Sequence, residues 1–164
     1  MTFIVAYLSQ QGATDSEIGL FWMLLGVSAV AGNLAWSPAL ARLSGGRGPA
    51  LTLAAVLAGT VLPVLSGSMT AAYASAVIFG GSFLATPAAV TGCARQLLPQ
   101  RHWASAIAGL TVTFSAGQCL GPVLAGVLSG GPGGVRAGLT IGAVILAASI
   151  VITVCQSSRK RAFE

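Results

Sequence analysis

The 164-residue chain is 55% hydrophobic and 7% charged, with a mean hydropathy of +0.87, a formal net charge of +5 and a pI near 9.9. Soluble domains carry about a quarter charged residues, so this composition excludes an ordinary water-soluble fold and makes lipid the solvent. The cations sit beside apolar runs rather than among aromatics on a polar surface, which excludes nucleic acid and directs them to anionic headgroups.

Thr2 to Leu8 is apolar. It is too short to cross the roughly 30 Å of a hydrocarbon core as a helix. It also lacks the basic region, long apolar stretch and cleavage site of a signal peptide. Five stretches follow that can each cross: Ile18 to Ala41, Pro49 to Ser66, Ala71 to Ala94, Trp103 to Leu128 and Ala137 to Cys155. None contains Asp, Glu, Lys or Arg, as expected when a charge at the centre of a span costs roughly 2.5 to 3.5 kcal/mol. Nothing alternates like a barrel strand, so the expected fold is all-α integral membrane: one domain over 1–164 with a partial helix at 1–8, spans at 18–41, 49–66, 71–94, 103–128 and 137–155, and a tail at 156–164.

The junctions are short and rich in Gly, Ser and Pro. Arg42 and Arg47, then Arg95 and Arg101, then Arg159, Lys160 and Arg161 fall at alternate junctions, leaving only Arg136 on the other side with Asp15 and Glu17. By the positive-inside rule the C-terminus is cytoplasmic. With five spans the residues before Ile18 then lie outside, and the stub at 1–8 is expected to be the outer half of a further helix whose inner half is missing. Trp22, Trp36, Trp103 and Tyr73 are expected as interfacial anchors. Cys93, Cys119 and Cys155 are odd in number and lie in spans, against a disulfide framework.

Polar and small residues inside the spans form stripes at helical spacing. The first span carries Gly26, Ala29, Asn33 and Ser37; the third Ser75, Ser82, Thr86 and Cys93; the fourth Thr111, Ser115, Gln118 and Pro122. Thr113, Gly117 and Gly121 lie on another face of the fourth span, with the small side chains that close helix packing needs. Stripes on the second and fifth spans are weaker, so spans one, three and four are expected inside and two and five toward lipid. Asn33 and Gln118 lead the candidates for a substrate pathway, followed by Thr111, Ser115 and Thr86, because a full amide is costlier to hide than a hydroxyl. The bland alternative is helix packing for the amides and back-bonding to their own helices for the hydroxyls.

Enzyme chemistry has little to work with. His102, the one histidine, lies at the inner rim with no neighbouring acid; no acid cluster marks a metal and no phosphate loop is present. No cofactor is expected.

Ser37 to Arg47 resembles the loop motif of the major facilitator superfamily, G-x-x-x-D-R/K-x-G-x-R/K, with Arg42 in the first basic position. Ser37 stands for the first Gly, Ala41 for the Asp, and the Gly45-Gly46-Arg47 turn is displaced by one. Gly117-x-x-x-Gly121-Pro122-x-x-x-Gly126 is similar to that family's G-x-x-x-G-P helix pattern. The Thr2 to Leu8, Phe21 to Gly26 and Phe79 to Phe83 runs look like the C-terminal half of the YbfB/YjiJ-type transporters.

The resemblance implies helices 7 to 12 of a twelve-helix carrier in a bacterial inner membrane, moving an unidentified small molecule by alternating access with an N-terminal half as partner. It also implies a packing role for Gly117, Gly121, Pro122 and Gly126. Arg42 and Arg47 would hold a cytoplasmic gate or, with Ala41 removing the usual acidic partner, anchor topology; Arg95 and Arg101 have the same two readings. Two rivals stay open: a membrane fragment or scaffold that moves nothing, and a five-helix drug/metabolite-type transporter repeat.

Overall fold

In the computed structural model the described residues are 4, 8–9, 12–129 and 134–160. Most of the expected stub, the turn at 130–133 and Arg161 lie outside them.

Helix α1 spans Asp15–Arg42. It starts three residues before the expected Ile18 because Thr14 and Glu17 form a capping box, in which the Thr14 N–H donates to Glu17 Oε2 at 2.8 Å and the Glu17 N–H donates to Thr14 Oγ1 at 3.4 Å. Two acids in the first turn also complement the helix dipole. Helix α2, Arg47–Ser66, carries Pro49 in its first turn, where a missing N–H costs nothing. It ends at Gly67, whose φ of 61° takes the left-handed position and whose N–H donates to Pro63 O at 3.0 Å.

The third span is two helices: α3, Met69–Phe83, capped by Ser68, and α4, Ala85–Leu97. The break follows from Pro87. Proline has no N–H for the carbonyl of the residue four positions earlier, here Phe83, and its ring crowds that carbonyl. Thr86 Oγ1 donates to Ser82 O at 3.2 Å in the same turn. After a 3₁₀ turn at Gln100–His102 come α5, Trp103–Ser129, and α6, Gly134–Lys160. α6 thus carries helix five residues past Cys155.

Among the described residues five spans are long and apolar enough to cross a membrane. Large apolar side chains point outward along them, including Val27, Val30 and Leu34 on α1, Val112, Val123 and Val127 on α5, and Val144, Ile145 and Val151 on α6. Outward-facing surface of that kind belongs in hydrocarbon. The fold is all-α and multi-pass.

α3 lies between α1 and α2; α2 also packs on α6 and α4, and α5 packs on α6 and α4. Glycine sets the closest approaches. A Cβ on Gly32 of α1 would lie 2.1 Å from the carbonyl oxygen of Gly81 on α3, and one on Gly80 would lie 2.5 Å from Leu25 O. On the other side of α3, a Cβ on Gly59 of α2 would lie 2.8 Å from Phe79 N, and Ser75 Oγ donates to Gly59 O at 2.5 Å. Small residues with one interhelical hydrogen bond are the usual means of association where lipid removes the hydrophobic drive.

Within the chain the expected layering holds for the third span, which is well buried, and for the fifth, which faces outward, and fails for the first, second and fourth. α2 is the most buried span and α5 the least. The sequence stripes picked out polarity, whereas burial here follows glycine, alanine and hydroxyl contacts. At the end of the bundle holding the α1 N-terminus, Ile4 and Leu8 are buried against Phe21, Ala72 and Ala76.

Candidate functional site

Gln96 ties the two ends of the loop region together. Its Oε1 accepts from the Gly45 N–H at 2.9 Å and its Nε2 donates to Leu43 O at 3.5 Å, so the α1–α2 loop and the α4 C-terminus share one end of the bundle. Gly45 has φ of 63°, which glycine adopts without strain. Arg42, Arg47, Arg95 and Arg101 are all exposed at this end. The Arg95 guanidinium lies 5.6 Å from the centre of the Trp103 ring, and Arg101 Nε donates to His102 Nε2 at 3.0 Å. Asp15 and Glu17 sit at the start of α1, the opposite end. Among the described residues none of the four arginines has a carboxylate partner.

Two of the five pathway candidates come together. Thr86 on α4 and Thr111 on α5 line one cavity of about 290 Å³ with Pro87, Val90, Thr91, Leu110 and Phe114. Phe114 lies 6.4 Å, centre to centre, from Phe83, which stacks on Phe79 at 5.2 Å, so an aromatic run crosses from α3 to the cavity wall. Both threonine hydroxyls donate to carbonyls four residues earlier, Thr86 across the break to Ser82 O of α3 and Thr111 to Ile107 O at 2.9 Å. Each therefore offers the cavity an acceptor lone pair and no spare proton. With Thr91 on the same wall, a ligand held there meets three hydroxyls and an aromatic face.

Asn33, Ser115 and Gln118 stand outside that cavity. Asn33 is exposed on α1, one residue round from Gly32; Ser115 and Gln118 are exposed on α5 along with Thr111. The third-span stripe divides: Ser75 and Ser82 are buried in packing, while Thr86 and Cys93 are half-buried lower down. Back-bonding of hydroxyls is general, with Thr52, Thr60, Thr113, Ser149 and Thr153 all donating to carbonyls of their own helices.

The G-x-x-x-G-P segment is not where this chain packs closely. Gly117 and Gly121 have nothing within 4 Å of a would-be Cβ, Pro122 is exposed and Gly126 is half-buried. Close packing uses Gly59, which the weak second-span stripe of Thr52 with Gly59 contained, and Gly32, Gly80 and Gly81, which the stripes did not select. Their signal was present as small residues four apart, Ser28 with Gly32 and Ala76 with Gly80. Gln96 had no such signal, since its partners are backbone atoms 51 and 53 residues away.

Long helices charged only near their ends, with outward-facing apolar side chains and polar edges gathered on α1 and α5, define a polytopic α-helical membrane protein. Residues 1–154 match the family described as Uncharacterised MFS-type transporter YbfB, and the chain belongs to that family. No curated protein matches the chain, and no solved structure does. The major facilitator resemblance is borne out at family level, and a general function in membrane transport is consistent with it. So is the finding that, among the described residues, no three His, Cys, Asp or Glu side chains are grouped to hold a metal.

Proposed function

We propose that this chain is one half of a major facilitator carrier, equivalent to helices 7 to 12, and moves a small molecule across a bacterial inner membrane by alternating access. Its polar pathway runs along the exposed edge of α5, Thr111, Ser115 and Gln118, with Thr86 across the cavity and Asn33 on α1. A second helical bundle closes that side, meeting the open Gly117 and Gly121 face. The arginine-bearing end is cytoplasmic, in keeping with the positive-inside rule.

The observation that carries this reading is the exposed polar face of α5. An amide and two hydroxyls directed at lipid would each be costly, whereas a water-filled path satisfies them. No carboxylate lies on this face, so the contacts offered to a substrate from this half are polar and uncharged.

The test needs no knowledge of the substrate. In a Cys93→Ser, Cys119→Ser, Cys155→Ser background, Ser115→Cys and Gln118→Cys are expected to react with a membrane-impermeant maleimide from either side of the membrane. Val123→Cys, on the apolar side of the same helix, is expected to resist it. Equal protection at all three positions would refute a pathway along α5, and labelling from one side alone would refute alternating access.

A further inference from the structure

At the arginine-bearing end a second and larger cavity, of about 710 Å³, opens between α2, α4, α5 and α6. Its wall includes Gly46, Ala94, Leu98, Gly109, Thr113 and Thr153. The two threonine hydroxyls donate to Gly109 O at 2.9 Å and to Ser149 O at 2.7 Å, so neither has a proton to give a ligand. Ser105 and Cys93 are the other polar side chains of the wall, and the rest is glycine, alanine, proline, valine and leucine. Such a mostly apolar interior suits hydrocarbon and offers a polar solute few partners.

The rim has the opposite character. Arg47 follows Gly46 and Arg95 follows Ala94 in the chain, so both cations start from residues of the wall. Arg95 is held there: its guanidinium lies over Trp103, and the Trp103 indole N–H donates to the carbonyl oxygen of the wall residue Leu98 at 2.9 Å. Arg42 and Arg101 are exposed at the same end, and the described acids stand at the other. An apolar chamber with an unneutralised guanidinium cluster at its mouth is complementary to an amphiphile with an anionic head.

We infer that this cavity is a binding site for one anionic phospholipid of the adjacent leaflet, an acyl chain lying between α2, α4, α5 and α6 and the phosphate facing Arg47, Arg95 and Arg101. The site adjoins the Thr86–Thr111 cavity, with Val90 and Leu110 as the wall between them. Bound lipid would fill the space between α5 and α2, whose main packing partners on this side are α4 and α6.

Native mass spectrometry of the purified full chain in detergent, titrated with dioleoylphosphatidylglycerol or dioleoylphosphatidylcholine, tests the inference. One tight phosphatidylglycerol adduct is expected, with phosphatidylcholine bound much more weakly. The double variant Arg95→Gln, Arg101→Gln, both at exposed positions, should weaken phosphatidylglycerol about thirtyfold, at about fivefold per arginine near an anionic headgroup, and leave phosphatidylcholine unchanged. Gly109→Phe fills the cavity from a position with nothing within 4 Å of its Cβ, and should abolish the tight adduct while helix content and melting are retained. Equal affinity for the two lipids, or a phosphatidylglycerol adduct undiminished in Gly109→Phe, would overturn the inference. So would self-association that Gly109→Phe abolishes while neither lipid binds, because the cavity would then belong to a second copy.

Discussion

Gly32→Ala adds a single methyl group where α1 crosses α3. Its carbon would lie 2.1 Å from Gly81 O, 2.3 Å from Gly81 Cα and 2.5 Å from Gly81 C, all backbone atoms that cannot rotate away. Non-bonded carbons rest at about 3.5 to 4.0 Å, so the helices must part by about 1.5 Å, and a gap of even 0.5 to 1 Å forfeits a quarter to a half of each neighbouring contact. Overpacking costs about 1 to 3 kcal/mol, and a clash with rigid backbone belongs at the upper end. Alanine recovers about 1 kcal/mol over glycine in helix propensity, leaving a net loss of about 2 kcal/mol. For a protein of this size that lowers Tm by about 4–8 °C. Thermal unfolding in detergent, followed by circular dichroism, measures it against Gly117→Ala, where nothing lies within 4 Å and melting should not fall. If the two variants melt together, the Gly32–Gly81 crossing does not hold α1 to α3 and the packing described here is wrong.

Ser75→Ala removes the hydrogen bond to Gly59 O and should destabilise the chain by about 0.6 kcal/mol, the average for interhelical bonds in membranes, and by no more than about 1.7 kcal/mol, the largest measured; a denaturant titration showing no loss would contradict the α2–α3 contact. Gln96→Ala should leave the spans intact but release the 43–46 loop. One hydrogen bond is worth about 1 kcal/mol, so amide exchange at Gly45 should quicken about fivefold by hydrogen–deuterium exchange, and unchanged exchange would show that Gln96 does not tie the loop.

Span number and position were legible in the sequence because a bilayer imposes length and forbids charge over each span, and both constraints are written locally. Alternate clustering of Arg42, Arg47, Arg95 and Arg101 was legible for the same reason, and the Gln96 bridge brings them to one end. Helix starts were legible in principle: Thr14-x-x-Glu17 is a capping box ahead of an apolar run, although hydropathy alone places the start at Ile18. The packing order was not. Asn33 and Gly32 are adjacent and differ by about 100° around the helix, so a stripe chosen for polarity falls beside the face that packs. Gly117 and Gly121 carry a stronger motif than Gly32 and Gly81, yet only the latter pair meets within this chain. Pairings across 49 or more residues, such as Gly32 with Gly81 and Gly45 with Gln96, depend on which helices become neighbours, and no local spacing encodes that.

The break at Leu84 divides one membrane span into parts with unequal mechanical roles. Above it, α3 is clamped by backbone contacts on both sides, at Gly80 and Gly81 to α1 and at Phe79 to Gly59. Below it, α4 has 13 residues, about 20 Å of helix, with fewer close contacts to its neighbours. A tilt of about 10° at the break would swing the far end, where Gln96 grips the loop, by about 3 Å. The same swing changes the separation of Thr86 and Thr111 only slightly, because Thr86 sits next to the pivot. The span is thus built as a spine with a lever attached: a tilt at the break would move the loop at the arginine end most and the polar cavity near the fulcrum least.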